Sequence, residues 1–365
     1  MTITSKPEGT PAILNSCCDI EKLFNAARHG LFDWKSKSCQ GSIVGRKCIT
    51  KENLLKQVDG LTVLHMAAAH GSLRQIPADL LTVANLSFRS GACNISPAHV
   101  AAEHGTLNQI PRKNMTLKLL LLPESNGDTP LHLAAKYDHL IQVPKKILTD
   151  ESMTKQNNEG WTPLHWALSR LQINEQTIGL SGWIMPFHVP SKILTAKNLL
   201  YQTNTGWTPA HFLAGTVAIC QVTEDVLEKV LLAADSNGIT PLSCAARNGK
   251  LDLVPKQFLT PAYLTVADID GETPIHLAAD NGHLHQLKEV LSRELLMCKD
   301  KRGRTPLHLA EEKGTLAGIL GINLPDEARS IIGDYWWELN QRILKEANIP
   351  AGTPTISEDI YDLDI

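Results

Sequence analysis

The sequence predicts an all-α solenoid of stacked helix pairs joined by hairpin-like loops. Three observations predict it. One motif recurs eight times, its spacing stays close to 33 residues, and every copy carries a helix start signal, with a glycine stop signal in five.

The copies read GLTVLHMAA from Gly60, NISPAHVAA from Asn94, GDTPLHLAA from Gly127 and GWTPLHWAL from Gly160, then GWTPAHFLA from Gly206, GITPLSCAA from Gly238, GETPIHLAA from Gly271 and GRTPLHLAE from Gly303. Their hydroxyl residues Thr62, Ser96, Thr129, Thr162, Thr208, Thr240, Thr273 and Thr305 are separated by 34, 33, 33, 46, 32, 33 and 32 positions. Motif and period together resemble the ankyrin-repeat family. The degenerate second halves, LxxIP followed by LTxxNL, are similar to bacterial-type variants of that repeat.

Taken in chain order, residues 1–16 are expected to be a disordered N-terminal segment. Residues 17–58 read as a degenerate capping repeat, in which IEKLFNAARHG stands for the first helix and ITKENLL for the turn that follows. Residues 59–322 hold the eight repeats. In each, the hydroxyl caps free backbone N–H groups, and in all but the first, which has Val63, proline at the first helical position gives up a donor that has no partner there. Paired alanines such as Ala67 and Ala68 allow close helix approach, and Gly71, Gly105, Gly249, Gly282 and Gly314 supply the left-handed residue that ends the helix. Pro77, Pro111, Pro144 and Pro255 then interrupt the second half, so a short second helix and a Thr-capped turn (LTVANL, LTDESM, LTAKNL, LTPAYL) are predicted after it. The 46-residue gap holds about 13 extra residues, placed at about 171–190 as a loop. Residues 323–348 form an amphipathic capping helix with Ile331, Ile332, Tyr335, Leu339 and Ile343 on one face, and 349–365 an acidic tail.

A formal charge of −3 excludes the basic field that a phosphate-backbone binder uses, so no nucleic-acid partner is expected. No apolar run is long enough to span a membrane, and the N-terminus lacks signal-peptide order. The eight cysteines show no zinc spacing and read as reduced thiols, with Cys244 buried. The expectation is a cytoplasmic monomer; the alternative is secretion into a host cell by a non-classical route.

The residues offer little chemistry. Seven of the fourteen histidines (His65, His99, His132, His165, His211, His276, His308) share one repeat position, where the resemblance implies hydrogen bonds holding adjacent loops. His283 and His285 lack a third metal ligand, and DIDGE from Asp268 lacks the acidic twelfth residue of a calcium loop. No nucleophile, phosphate-loop or dinucleotide motif is present, so no enzyme activity and no cofactor or metal is expected.

What remains is surface. The resemblance implies partner contacts at loop tips and first-helix ends. The loop positions are Leu61, Ile95, Asp128, Trp161, Trp207, Ile239, Glu272 and Arg304, expected to form one largely apolar row, interrupted at Asp128 and turning charged toward the C-terminus, with Tyr137 and Arg170 at helix ends. Aromatic and arginine side chains dominate binding energies. The expected function is therefore a non-catalytic protein–protein interaction scaffold or adaptor, whose partner docks around Trp161, Trp207, Tyr137 and Arg170, with Ile239, Ile95 and Leu61 extending the patch. Alternatives are a bacterial effector acting on a host protein, or an inhibitory or targeting subunit of an enzyme.

Overall fold

A computed structural model describes residues 19–33, 35–178, 189–316, 330–335, 337–339 and 342. They fall into two compact units, one within Met1–Arg170 and Ile184–Ile193, the other within Leu171–Trp183 and Leu194–Ile365.

The first unit holds α1 (Ile20–His29), α2 (Lys51–Leu54), α3 (Val63–Ala69), α4 (Val83–Leu86), α5 (Pro97–Glu103), α6 (Leu117–Leu120), α7 (Pro130–Lys136), α8 (Asp150–Met153) and the start of α9 (Pro163–Ile178). The odd-numbered helices stack α1 on α3, α3 on α5 and α5 on α7. Fully or nearly fully buried alanines, Ala67, Ala68, Ala101, Ala102, Ala134 and Ala135, line these contacts and bring the helices close. The second unit continues with α10 (Ala196–Leu199), α11 (Pro209–Ala214), α12 (Glu224–Val230), α13 (Pro241–Arg247), α14 (Pro261–Leu264), α15 (Pro274–Asp280), α16 (Arg293–Met297) and α17 (Pro306–Glu312), stacked through α11, α13, α15 and α17. Its core of Leu242, Leu251, Ile275, Leu284, Leu295 and Leu307 is at most 1% exposed, each leucine contributing about 2 kcal/mol by burial.

The inner (odd-numbered) helices α1, α3, α5, α7, α13, α15 and α17 end on a left-handed residue, whereas α11 ends at Gly215 with φ −80°. Gly105 has φ 67°, and a Cβ there would meet the His139 ring at 2.7 Å, so glycine is required twice over. One repeat later Asp138 takes the same conformation, at φ 63°. The loop glycines Gly60, Gly127, Gly160, Gly206, Gly238, Gly271 and Gly303 are likewise left-handed, as is Asn94. The first of these loops is a two-stranded hairpin, β3 (Gln57–Val58) with β4 (Leu61–Thr62), Val58 opposite Leu61. A second small pair, β1 (Phe32–Asp33) with β2 (Val44–Gly45), is parallel.

The outer halves depart from expectation. In place of a short second helix, Leu73–Gln75, Leu107–Gln109, Leu140–Gln142 and Leu251–Leu253 are single 3-10 turns. Ile76, Ile110, Val143 and Val254, each preceding a proline, swing to extended ψ of 130–134°. The proline ring forbids the helical conformation to the residue before it, which stops the turn after one cycle. Between Val217 and Leu231, where no proline intervenes, the outer half includes a seven-residue helix, α12, whereas between Leu284 and Met297, also without proline, a 3-10 turn precedes the shorter α16.

The Thr-capped turns are present. Thr82, Thr149 and Thr195 accept from the backbone N–H three residues on, whereas Thr260 starts α14 without such a bond. The asparagine of LTxxNL closes the loop behind the turn. Asn85 Nδ2 donates to Leu80 O at 2.7 Å, and Asn53 Nδ2 to Cys48 O at 2.9 Å.

At the enlarged repeat, residues 171–178 extend α9 and are not a loop. No glycine stands after Arg170, and LQINEQTI contains no proline, so the helix runs on to Ile178. Residues 179–188 of the expected insertion, the N-terminal segment, the acidic tail, Trp336 and Ile343 lie outside the described residues. In the second unit residues 330–335 and 337–339 are helical. Ile331, Ile332 and Leu339 are buried there, while Tyr335 donates to Glu311 beside the His308 ring. No described helix is long and apolar enough to cross a membrane.

Candidate protein-binding surface

The geometry of the loops follows from the Thr-x-x-His spacing. His65 Nδ1 accepts from the Thr62 backbone N–H at 3.1 Å, and the His65 N–H donates to Thr62 Oγ1. With Nδ1 an acceptor, the ring proton sits on Nε2, which donates to Ile95 O in the next repeat at 3.2 Å. The same relay joins His132 to Trp161 O (3.1 Å), His211 to Ile239 O (2.9 Å) and His276 to Arg304 O (3.2 Å). His99 keeps its contacts with Ser96, but its buried Nε2 has no acceptor. Burial disfavours imidazolium, and the occupied Nδ1 leaves no room for a second proton. His65 and His99 are accordingly lowered to about 4, and His132, His211 and His276 are lowered as well.

These relays pin the loop residues through their carbonyls and leave their side chains to the surface. In the first unit Leu61 and Ile95 are half-buried. Asp128 does not interrupt an exposed row: it is 4% exposed, its Oδ1 accepting from Asn157 Nδ2 at 2.7 Å and its Oδ2 from Asn126 Nδ2. It is a pin inside the loop stack. Trp161, half-buried, stacks on Trp166 with ring centroids 4.4 Å apart, and the Lys136 ammonium lies 4.7 Å above Trp166 and 5.8 Å from the Tyr137 ring. Tyr137 is 38% exposed. Trp166 Nε1 and Arg170 Nε, one turn apart on α9, are buried donors with no acceptor.

The second unit repeats part of this pattern. Trp207 tilts against Phe212 at 5.3 Å and His211 at 4.9 Å, and Ile239 is half-buried. Further on, Arg304 bridges Glu272 (3.0 Å) and Asp300 (2.9 Å), which turns the row ionic. Asp300, Asp268 and Asp235 each accept two backbone N–H groups of their own turn through Oδ1. DIDGE is thus a turn pinned by its first aspartate. Burial pushes the Cys244 thiol up to about 12.

Sequence reasoning singled out Trp161 and Tyr137 but missed the residue between them, Trp166. Aligned repeats carry Met66, Val100, Leu133, Phe212, Cys244, Leu277 and Leu309 at that position, so an aromatic there, five residues after a loop tryptophan, was a visible signal. Also missed were the ties on the outer side. Gln142 Nε2 donates to Gly105 O at 2.7 Å while its Oε1 accepts from Asn108 N, and Gln286 does the same for Gly249 O and Leu251 N. Ser72 and Thr106 donate to the carbonyls of Ala27 and Ala68 in the preceding repeat. The recurring glutamine of LRQIP, LNQIP and LIQVP was the signal for the first of these.

No curated protein matches the chain. The family model described as Ankyrin repeats (3 copies) matches residues 98–176 and 256–320. Such repeats are generally protein–protein interaction modules and typically non-catalytic. With its 33-residue period, stacked inner helices and histidine relays, the chain carries ankyrin repeats.

Proposed function

We propose that the protein is a non-catalytic cytoplasmic scaffold or adaptor that binds a partner protein through its repeat loops and inner-helix ends. Trp161, Tyr137 and Arg170 are the contact residues in the first unit, with Leu61 and Ile95 beside them; Trp207 and Ile239 serve in the second. What carries the reading is the set of unmet donors on α9. Trp166 Nε1 and Arg170 Nε lack acceptors next to a stacked tryptophan pair and a lysine held over its face. A buried donor without an acceptor costs about 1–3 kcal/mol, a cost removed when binding turns the indole and guanidinium outward to meet a partner oxygen. Aromatic rings add desolvated contact area at small entropy loss.

The test is affinity purification with mass spectrometry from the cells that make the protein, comparing wild type with Trp161→Ala, Arg170→Ala and Trp207→Ala. Losing an anchor of this kind costs about 2 kcal/mol, roughly thirtyfold in affinity. Specific partners should therefore disappear from the Trp161→Ala and Arg170→Ala captures while the thermal midpoint stays within a few degrees. An unchanged partner set in folded variants would remove these residues from the interface.

A further inference from the structure

The prolines that cut the outer halves leave space where a second helix would otherwise lie. Between the turns after α5 and α7 this space is a cavity of about 620 Å³. Its floor is apolar: Ile110, Met115 and Val143 are 2–4% exposed. Its rim carries Arg112, Lys145 and Lys146, all exposed, and no carboxylate lines it. None of the three cations makes an ion pair with a described residue. The second unit shows what the same place looks like when its charge is balanced. Arg112 and Lys145 each follow the proline position of their repeat, as do Lys256 and Glu289 in two successive repeats there. Lys256 is ion-paired with Glu289, whereas Arg112 and Lys145 present like charges to the same groove. The apolar element is equally local. Ile141, 66% exposed, occupies a position filled by Arg74, Asn108, Asp252 and His285 in other repeats. A large exposed aliphatic side chain beside uncompensated cations is unfavourable in the unbound protein and complementary to one kind of ligand.

We propose that this outer groove is a second docking site, which takes an acidic peptide segment of a partner protein. An aliphatic side chain of that segment packs on Ile141 and Met115, and its flanking carboxylates meet Arg112, Lys145 and Lys146. The site shares no residue with the α9 surface and does not depend on it.

The probe is a fluorescein-labelled decapeptide of alternating Asp and Leu, titrated into the full chain by fluorescence anisotropy. Two control peptides carry Asn for Asp or Ser for Leu. The wild type binds the probe at least about tenfold more tightly than either control, and affinity falls as salt rises. Lys145→Glu and Ile141→Ser, both at exposed positions and checked for an unchanged melting temperature, each weaken binding by about tenfold or more, while Trp161→Ala leaves it unchanged. Equal binding of the probe and either control, or equal binding by wild type and Lys145→Glu, overturns the proposal. So does sedimentation with vesicles of phosphatidylcholine and phosphatidylserine, sensitive to Lys145→Glu, without peptide binding; that result would assign the groove to a membrane surface.

Discussion

The inner and outer halves of each repeat must both satisfy the backbone at a helix end and tie it to a neighbour, and they use different chemistry to do so. The inner half uses a buried imidazole that accepts from its own cap residue and donates to the next repeat, as His65 does between Thr62 and Ile95. The outer half uses prolines to stop the chain and half-buried glutamines to tie it, as Gln142 does at Gly105 and Asn108. A buried tie fixes geometry and leaves little surface to vary. A solvent-facing tie allows the residues around it to change, and it is there that Ile141 and Lys145 depart from their counterparts in other repeats.

The strongest way to break this comparison is to remove an inner relay. His132→Ala strips the Thr129 N–H of its acceptor, leaves Trp161 O with the Asn157 N–H as its remaining donor and opens a cavity, so a loss of about 3 kcal/mol is expected by urea denaturation. A loss below about 1 kcal/mol would make the relay no stronger than an outer tie. Next in size is acid sensitivity. The unfolded chain binds a proton at each histidine near 6.5, whereas folded His65 and His99 bind one only near 4, so the unfolded state carries more protons between these values. Stability is therefore fully present above about pH 6.5 and falls as the pH drops toward 4, by up to about 1.4 kcal/mol per histidine per pH unit. His65→Gln should flatten the slope of unfolding midpoint against pH between 6.5 and 4; an unaltered slope would place the acid sensitivity elsewhere.

Gln142→Ala samples the outer half. Its two bonds are partly solvated, so about 1 kcal/mol is expected, measured against His132→Ala in the same denaturant series. The smallest effect separates two outer turns: Thr82→Ala should cost about 1 kcal/mol, and Thr260→Ala, whose hydroxyl makes no cap bond, less than about half of that. Equal costs would mean that the hydroxyl bond is not what stabilises the turn.

The inner half was legible in the sequence because its chemistry is local. Thr62 and His65 lie three residues apart, and Gly105 and Asp138 sit where the chain must turn left-handed, so caps, stops and period agree without any distant information. The outer half was legible only as an interruption. Proline announces where a helix cannot continue, but whether one 3-10 turn or a short helix precedes it depends on packing, and Pro77, Pro111, Pro144 and Pro255 resolved it toward the turn. At the candidate surface, Trp161 and Tyr137 were visible as exposed aromatics in repeat positions. Asp128 was misread as a surface interruption because its burial depends on Asn157, in the following repeat. Trp166 was overlooked because a tryptophan at a position that is apolar in every repeat reads as core until its ring is found under Trp161 and Lys136.

The ties also set how the stack bends. Around the interface between the α3 and α5 repeats three bonds stand at separate corners: His65 to Ile95 at the loop edge, Thr106 to Ala68 at the helix end, and the Arg74 N–H to Gln109 at the outer turn. Three anchors that are not in line resist both tilt and twist, as a tripod does. One interface later the helix-end and outer anchors persist, through His139 to Ala102 and Gln142 to Gly105, and the loop-edge anchor passes from the imidazole to Ser125, whose N–H and hydroxyl both donate to Cys93 O. That joint also stands on three feet. Its loop-edge foot is a solvent-facing serine in place of a buried histidine.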